Sequence, residues 1–438
     1  MHKAISRRNL LRLAGGAFTA AAGASLLPQS FRGNVLHPFS VGSASAQDAA
    51  PNLSLAATDG WIGLPTTPVT GFHPDVLAPN PFTTYIFGFR NVTNMTDTQV
   101  QAQKMKAQHN APLFWIKENE LFRVKLTNLG LAIRPDLVDA HTLHWHGFRN
   151  VIPFFDGEPS TSVSVPIARD FTYAYRAHDA GTYMFHCHVE DVEHVQMGMT
   201  GLVFVRPAQD GTNINYQGRN YNKFVFNDGN GSTGYDREYA MFLSEVWAES
   251  HWADAHIQLP EWSDYRVDFA LLNGRVYPDT IAPNGSIDPF NPVFDANGDM
   301  IPTPGFEHLK YQPLSSLVQC NAGERVLLRF ANLGFKQAAM TLAGIRMHVV
   351  GRDATPLVGR DGTDNSLQTN IISLNAGESA DAIFTAPAYQ GPGAYDSYLL
   401  YNRSYSMDSN LSGGFGGQMT EVRVYPANSL AAQSLPNT

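Results

Sequence analysis

The chain has 438 residues, 43% of them hydrophobic and 11% aromatic, with a formal net charge of −9. That length exceeds one ordinary hydrophobic core, and the acidic balance argues against nucleic acid as a partner and for neutral or cationic ones. Two cysteines, Cys187 and Cys320, are too few for a disulfide framework.

Residues 1–46 read as an export leader rather than as structure. Ser6-Arg7-Arg8-Asn9-Leu10-Leu11 is a twin-arginine pattern, an Ala-rich apolar stretch runs on to Leu27, and Ala44-Ser45-Ala46 is a small-residue cleavage candidate. Arg12 interrupts the apolar run, which is too short and too Gly-rich for a membrane anchor. The expectation is a periplasmic or secreted protein with no membrane anchor after cleavage. The leader holds Lys3, Arg7, Arg8, Arg12 and Arg32 and no acid, which leaves 25 Lys+Arg against 39 Asp+Glu, net −14, in the mature chain.

Strand signals dominate the mature chain. Runs rich in Val, Ile, Phe, Tyr and Thr at 84–90, 121–128, 169–176, 325–332 and 421–425 are broken by Gly, Pro, Asn and Asp clusters. No long amphipathic helical pattern competes. The reading is all-β, two tandem β-sandwich domains at 47–208 and 234–438, joined by the polar linker 209–233, QDGTNINYQGRNYNKFVFNDGNGST.

The chemistry concentrates in two stretches of the first domain. HTLHWHG (141–147) carries His141, His144 and His146, and GTYMFHCHVEDVEHVQMGMTG (181–201) carries His186, Cys187, His188, His194 and Met199. Two imidazoles, a thiolate and a thioether are the donor set of a trigonal blue-copper site with a weak axial Met. Alternate residues of a strand face opposite sides. In HCH the two histidines therefore point away from Cys187, and in HTLHWH His141 has the opposite parity to His144 and His146. Neighbouring strands would gather His141, Cys187, His194 and Met199 on one side. His144, His146, His186 and His188 remain on the other as a second metal environment, joined to the first through the Cys187 backbone. A packed core would not choose so many titratable groups.

An internal repeat supports the two-domain reading. ELFRVKLTNLG (120–130) matches ERVLLRFANLG (324–334), HTLHWHG lies over AAMTLAG (338–344), GTYMFHCH (181–188) over GAYDSYLL (393–400), and GMTGLVFVRP (198–207) over GQMTEVRVYP (417–426). On this alignment Ala338, Thr341 and Ala343 replace the three upstream histidines. Tyr398, Leu399 and Leu400 replace His186, Cys187 and His188, so the second domain keeps the sandwich and loses the donors.

These motifs resemble those of the multicopper oxidases. HTLHWHG is similar to that family's HxxHxH ligand strand and GTYMFHCHVEDVEH…GM to its His-Cys-His signature. LLNGRVYPD (271–279), NAGERVLLRFANLG and MHVVGRDATPL (347–357) resemble its later domains. The resemblance implies cupredoxin-like Greek-key sandwiches and copper as the cofactor. It assigns type 1 copper to His141, Cys187, His194 and Met199, and a cluster that reduces dioxygen to His144, His146, His186 and His188. Electrons would come from a small-molecule reductant or an electron-carrier protein. There is also similarity to copper nitrite reductases in the spacing of HVQMGMTG, although those enzymes usually have Asp where this chain has His144 and a non-ligand where it has His188.

A three-copper cluster wants roughly eight imidazoles, and this chain offers four in register. The expectation is that a homo-oligomer completes it, two first domains meeting. The other mature histidines, 73, 109, 178, 251, 256, 308 and 348, form no HxH pair. Glu190, Asp191, Glu193 and Asp156 read as solvated loop carboxylates, Cys320 as a buried apolar thiol, and 413–417 as a flexible glycine loop. Three functions fit this pattern: an exported multicopper-oxidase-like oxidoreductase, a nitrite reductase, or a copper protein for electron transfer or copper handling.

Overall fold

The computed structural model of the chain describes residues 50–65, 71–72, 75–405, 407–409 and 415–438. The leader 1–46, His73 and the start of the 413–417 glycine run lie outside the described residues. The fold is all-β, as the strand signals imply. Eight strands build the first sandwich: β1 (Leu53–Gly63), β2 (Thr83–Asn91), β3 (Phe114–Lys117), β4 (Leu121–Asn128), β5 (His144–His146), β6 (Asp170–Arg176), β7 (Gly181–His186) and β8 (Thr200–Arg206). One sheet runs β2-β1-β4-β6 and the other β3-β8-β7-β5, with β1–β4 and β3–β8 the parallel contacts. Leu55, Phe87, Val124 and Leu126 of the first sheet share a core with Phe114, Trp145, Phe185 and Val203 of the second. Fully burying such side chains is worth about 1.5–3 kcal/mol each.

The second sandwich repeats the plan. Arg237–Val246 runs parallel to Arg325–Asn332, as β1 does to β4, and Val318–Asn321 runs parallel to Met419–Tyr425, as β3 does to β8. Its core includes Tyr239, Leu328, Met340 and Val422. The stretch 209–233 holds a short hairpin, Ile214–Tyr216 against Arg219–Tyr221.

Strand register corrects one part of the sequence alignment. His144 pairs with His186, and His186 with Thr200. In the second sandwich Thr341 pairs with Tyr401, and Tyr401 with Met419. The positional counterparts of His186, Cys187 and His188 are thus Tyr401, Asn402 and Arg403, three residues past Tyr398, Leu399 and Leu400. The sequence alignment superposes Gly181, the first residue of β7, on Gly393, three residues before the strand Asp396–Asn402, whereas the hydrogen-bond ladder is set by pairing with the neighbours. No imidazole or thiol stands at the corrected positions either.

The sandwiches meet along an apolar seam in which Met184, Leu202 and Phe204 pack against Ala240, Phe242, Ala331 and Leu333. Beside it runs a buried ionic chain. Arg206 of β8 pairs with both oxygens of Glu238, one of which also takes Arg329 Nε at 2.9 Å, and Arg329 Nη1 reaches Asp381 at 3.2 Å. Thr182 of β7 donates to Asp381 at 2.5 Å. Burial pushes the Glu238 carboxyl up, but Arg206 and Arg329 prevail and hold it at about 2.

Of the short helices outside the sheets, two bear on the site: α1 (Asp191–Met197), between β7 and β8, and α2 (Ala248–Ala255), after the strand Arg237–Val246. At seven residues α1 is too short to stand alone. Asp191 and Glu193 in its first turn suit the helix dipole, and Gly198 at φ +114° ends it in the left-handed region that glycine favours. Cys320 is buried and free, and burial pushes its thiol up to about 12, in keeping with an inert core residue. Among the described residues no helix is long and apolar enough to cross a membrane.

Candidate metal centres

The end of β7 and the turn after it place the thiol. Cys187 N donates to Met199 O at 3.1 Å, and Met199 N donates to His194 O at 2.9 Å. This loop closes α1 back onto β8 and brings three donors together. Cys187 Sγ lies 3.2 Å from His194 Nδ1 and 3.8 Å from His141 Nδ1, and the donor atoms of all three residues fall within 4.8 Å of one another. His141 reaches the site from an isolated bridge with Val165 and not from β5 itself. All three are fully buried, and the Met199 side chain is buried in the same core as Cys187.

The electrostatics are those of a site suited to a cation. Burial acts to raise the Cys187 thiol, yet the His194 and His141 imidazoles outweigh it and hold the thiol well below its usual value. Burial would lower His194, but the Cys187 sulfur and Asp139 raise it to about 10. A thiolate with two buried Nδ1 atoms turned toward it fits copper, and Met199 supplies a soft sulfur nearby. His194 Nε2 and His141 Nε2 are buried with no hydrogen-bond partner among the described residues, and Asp139 Oδ2 stands 3.7 Å from the former.

Across the strand, His144, His146, His186 and His188 gather on the face away from Cys187, with ring centroids 4.8 Å apart for His144–His188 and 5.2 Å for His144–His186. The nitrogens are sorted by carbonyls. His144 Nδ1 donates to Asp156 O at 2.9 Å, and His186 Nδ1 donates to Cys187 O at 2.8 Å, so each leaves Nε2 as a lone pair. His146 does the reverse: its Nε2 donates to Gly377 O at 3.1 Å, which leaves Nδ1 bare. His146 Nδ1 and His186 Nε2 then face each other at 3.4 Å, lone pair to lone pair. That contact is repulsive unless a cation sits against both, so these residues also fit a metal. The donors of His144, His146 and His186 lie within 4.8 Å of one another, while His188 stands beside this group, stacked on His186 at 5.5 Å. Burial lowers His144 and His146 and takes His186 to about 3, which keeps the imidazoles neutral and able to coordinate.

Sequence reading missed the residues around these donors. Asp156, read as a solvated loop acid, turns its backbone carbonyl to His144 and its carboxylate to within 3.7 Å of it. Glu190 joins Asp139 and His194 in a group of close donors, and burial raises its carboxyl. Asp139 stands two residues before His141 in a loop, where no strand or helix period marks it. Gly377 contributes only its backbone, which no sequence motif marks. His178 and His348 lie elsewhere: His178 is exposed before β7, and His348 bonds Ser366.

Residues 90–210 match the family model described as multicopper oxidase. Over 71 residues the chain is 35% identical to Laccase-1 of Emericella nidulans, a stretch covering 16% of this chain and 11% of that protein. The chain thus matches only about a tenth of that relative's length. Among solved structures, the blue copper oxidase of Nitrosomonas europaea aligns with a TM-score of 0.54 at 20% identity, covering 85% of each chain. The copper nitrite reductase of the same organism aligns with a TM-score of 0.51 at 16% identity, covering 88% of this chain and 97% of that one. Both likenesses are of fold, and they extend the cupredoxin-like architecture across the two sandwiches. The family resemblance read from HTLHWHG and the His-Cys-His run is borne out over residues 90–210, and with it copper as the cofactor.

Proposed function

With residues 90–210 carrying a multicopper-oxidase domain, we propose that the chain is an exported copper oxidoreductase which takes electrons from a small reductant or carrier and reduces dioxygen. Its domains are read as 47–208, with the copper, and 234–438, without ligands. His141, Cys187, His194 and Met199 would hold type 1 copper, and His144, His146, His186 and His188 the second copper environment. Bound copper would supply one-electron storage at the first site and reduction of the acceptor at the second. The observation that carries this reading is the pair of donor sets back to back on one strand end. Cys187 is bonded through its own backbone to His186 and His188, so the two sets are joined covalently. Thiolate and imidazoles are excluded from water at the first set, which favours a tunable redox site over an exchangeable one. At the second, Asp156 and Cys187 carbonyls orient His144 and His186. Export by the twin-arginine route, to the periplasm or beyond, rests on Ser6–Leu11, and the mature charge of −14 favours a neutral or cationic reductant over nucleic acid.

A second reading is favoured by one observation. The three imidazoles of His144, His146 and His186 converge within 4.8 Å, with His188 outside that group. This is a donor set for a single copper, as nitrite reduction would use. These three donors come from one chain, whereas a full cluster would require a homo-oligomer. The Gly377 carbonyl of the same chain already rests on His146, which favours the single-copper form of the site. Measuring oxygen uptake and nitric oxide release by the copper-loaded chain, with copper per chain, separates them. Oxygen consumption without nitric oxide supports the oxidase, nitric oxide from nitrite supports the alternative, and neither leaves electron transfer or copper handling.

A further inference from the structure

Both imidazole-bearing segments of the first site lie outside the sheets of their own sandwich, which holds them through the His141–Val165 bridge and the packing of Phe87 on His194. His194 sits on α1, a helix of seven residues, and His141 ends a loop that leaves β4 at Asn128. Metal donors must be held to about 0.5 Å, and both segments also take contacts from beyond their own sandwich. Helix α2, which comes after a strand of the second sandwich, touches both.

On one side His251, fully buried, donates from Nδ1 to the carbonyl of Tyr85 in β2. Its Nε2 is therefore an acceptor. The Gln196 side-chain amide lies 3.4 Å from that Nε2 and donates to Glu245 O at 3.1 Å. Gln196 is two residues from His194 on α1 and is itself buried. On the other side Asp254 takes Arg134 Nη1 on its carbonyl at 2.9 Å and on its carboxylate at 3.2 Å. Arg134 also grips Asp136 at 3.0 Å, and together these pin the loop that runs on to Asp139 and His141. His251 and Asp254 are three residues apart, on neighbouring positions of one helix face.

We propose that α2 of the donor-free half is the frame that sets the separation of His141 and His194, with His251 and Asp254 as positioning residues for the first metal site. The second sandwich then has a role its lost donors do not suggest: it holds the blue site from outside. The proposal rests on the reading that His141, Cys187 and His194 hold copper.

The test uses the full-length, copper-loaded chain and reads the visible charge-transfer spectrum, the copper hyperfine splitting by electron paramagnetic resonance, and the reduction potential. His251→Phe keeps bulk and removes both hydrogen bonds, and Asp254→Ala removes the side chain that accepts from Arg134 while keeping the backbone contact. Both should bind copper at the parent's stoichiometry, with a shifted absorption maximum, altered hyperfine splitting and a moved potential. His256→Gln is the control: His256 lies just past the same helix and pairs with Asp75 at 3.2 Å, away from both tethers, so the spectrum should stay as in the parent. If His251→Phe does not fold, Gln196→Leu reads the same contact from the other side. Folded variants with the parent's spectrum and potential overturn the proposal. A colourless copper-loaded parent overturns instead the copper reading beneath it.

Discussion

Glu238 offers the sharpest energetic test of how the two sandwiches are joined. Its carboxyl, ordinarily near 4.5, is held at about 2 in the folded protein because Arg206 and Arg329 outweigh its burial. The folded state therefore favours the ionised form. That stabilisation is complete above about pH 4.5, declines as pH falls toward 2, and is gone below it. The gap, at about 1.36 kcal/mol per pH unit, amounts to roughly 3 kcal/mol at neutral pH. Glu238→Gln keeps the shape and removes the charge, leaving Arg329 and Arg206 short of a partner. Breaking one side of a buried pair costs about 3–5 kcal/mol. Denaturant unfolding of the copper-free protein across roughly pH 7 to 2.5 measures both. The variant should be less stable by about 3–5 kcal/mol at neutral pH, and the difference should shrink toward zero as pH approaches the folded-state value of about 2. A difference that stays constant over that range would contradict an ionised Glu238, since the ionic chain would then contribute no pH-dependent stability.

The two donor sets yield three more tests. Met199→Leu should keep the blue colour and raise the reduction potential, because a weak axial donor that stabilises Cu(II) is lost; voltammetry of the loaded protein checks the sign. Replacing His144 and His188 together by Ala should lower acceptor turnover by more than about 100-fold while leaving the visible band, since they lie on the far side of the strand from Cys187; loss of the band would mean that the two donor sets are not separable. Gly377 sits at φ +80°, and a Cβ there would lie 3.2 Å from His146 Cε1 and Nε2. Gly377→Ala should therefore cost about 1–2 kcal/mol of backbone strain and weaken copper at the second site, measured by competition with a chelator, without shifting the blue spectrum.

Much of the first sandwich was legible in the sequence because strand geometry is so regular. Period-2 parity puts His144, His146, His186 and His188 on one face and Cys187 on the other, and in the structure His144 stands opposite His186 on the paired strands. The repeat of NLG motifs located β4 and Arg325–Asn332 as counterparts. What sequence could not supply was register beyond the aligned glycines, hence the three-residue correction to Tyr401, Asn402 and Arg403. Nor could it show contacts made by backbone, such as Gly377 on His146, or by residues far apart in the chain, such as His251 on Gln196 and Asp254 on Arg134. Those positions carry no periodicity, since their role depends on how the second sandwich is docked. Helix α1 was also invisible, its seven residues falling below any helical signature.

The blue site itself is tested most directly by the visible and paramagnetic resonance spectra of the purified, copper-loaded chain, with copper counted per chain and Cys187→Ser alongside. The expected result is an intense visible band from sulfur-to-copper charge transfer, a single such copper in each chain, and complete loss of the band in a Cys187→Ser variant that remains folded. A copper-loaded parent without that band, or a folded Cys187→Ser that keeps it, would contradict the assignment of Cys187, His141 and His194 as the blue site.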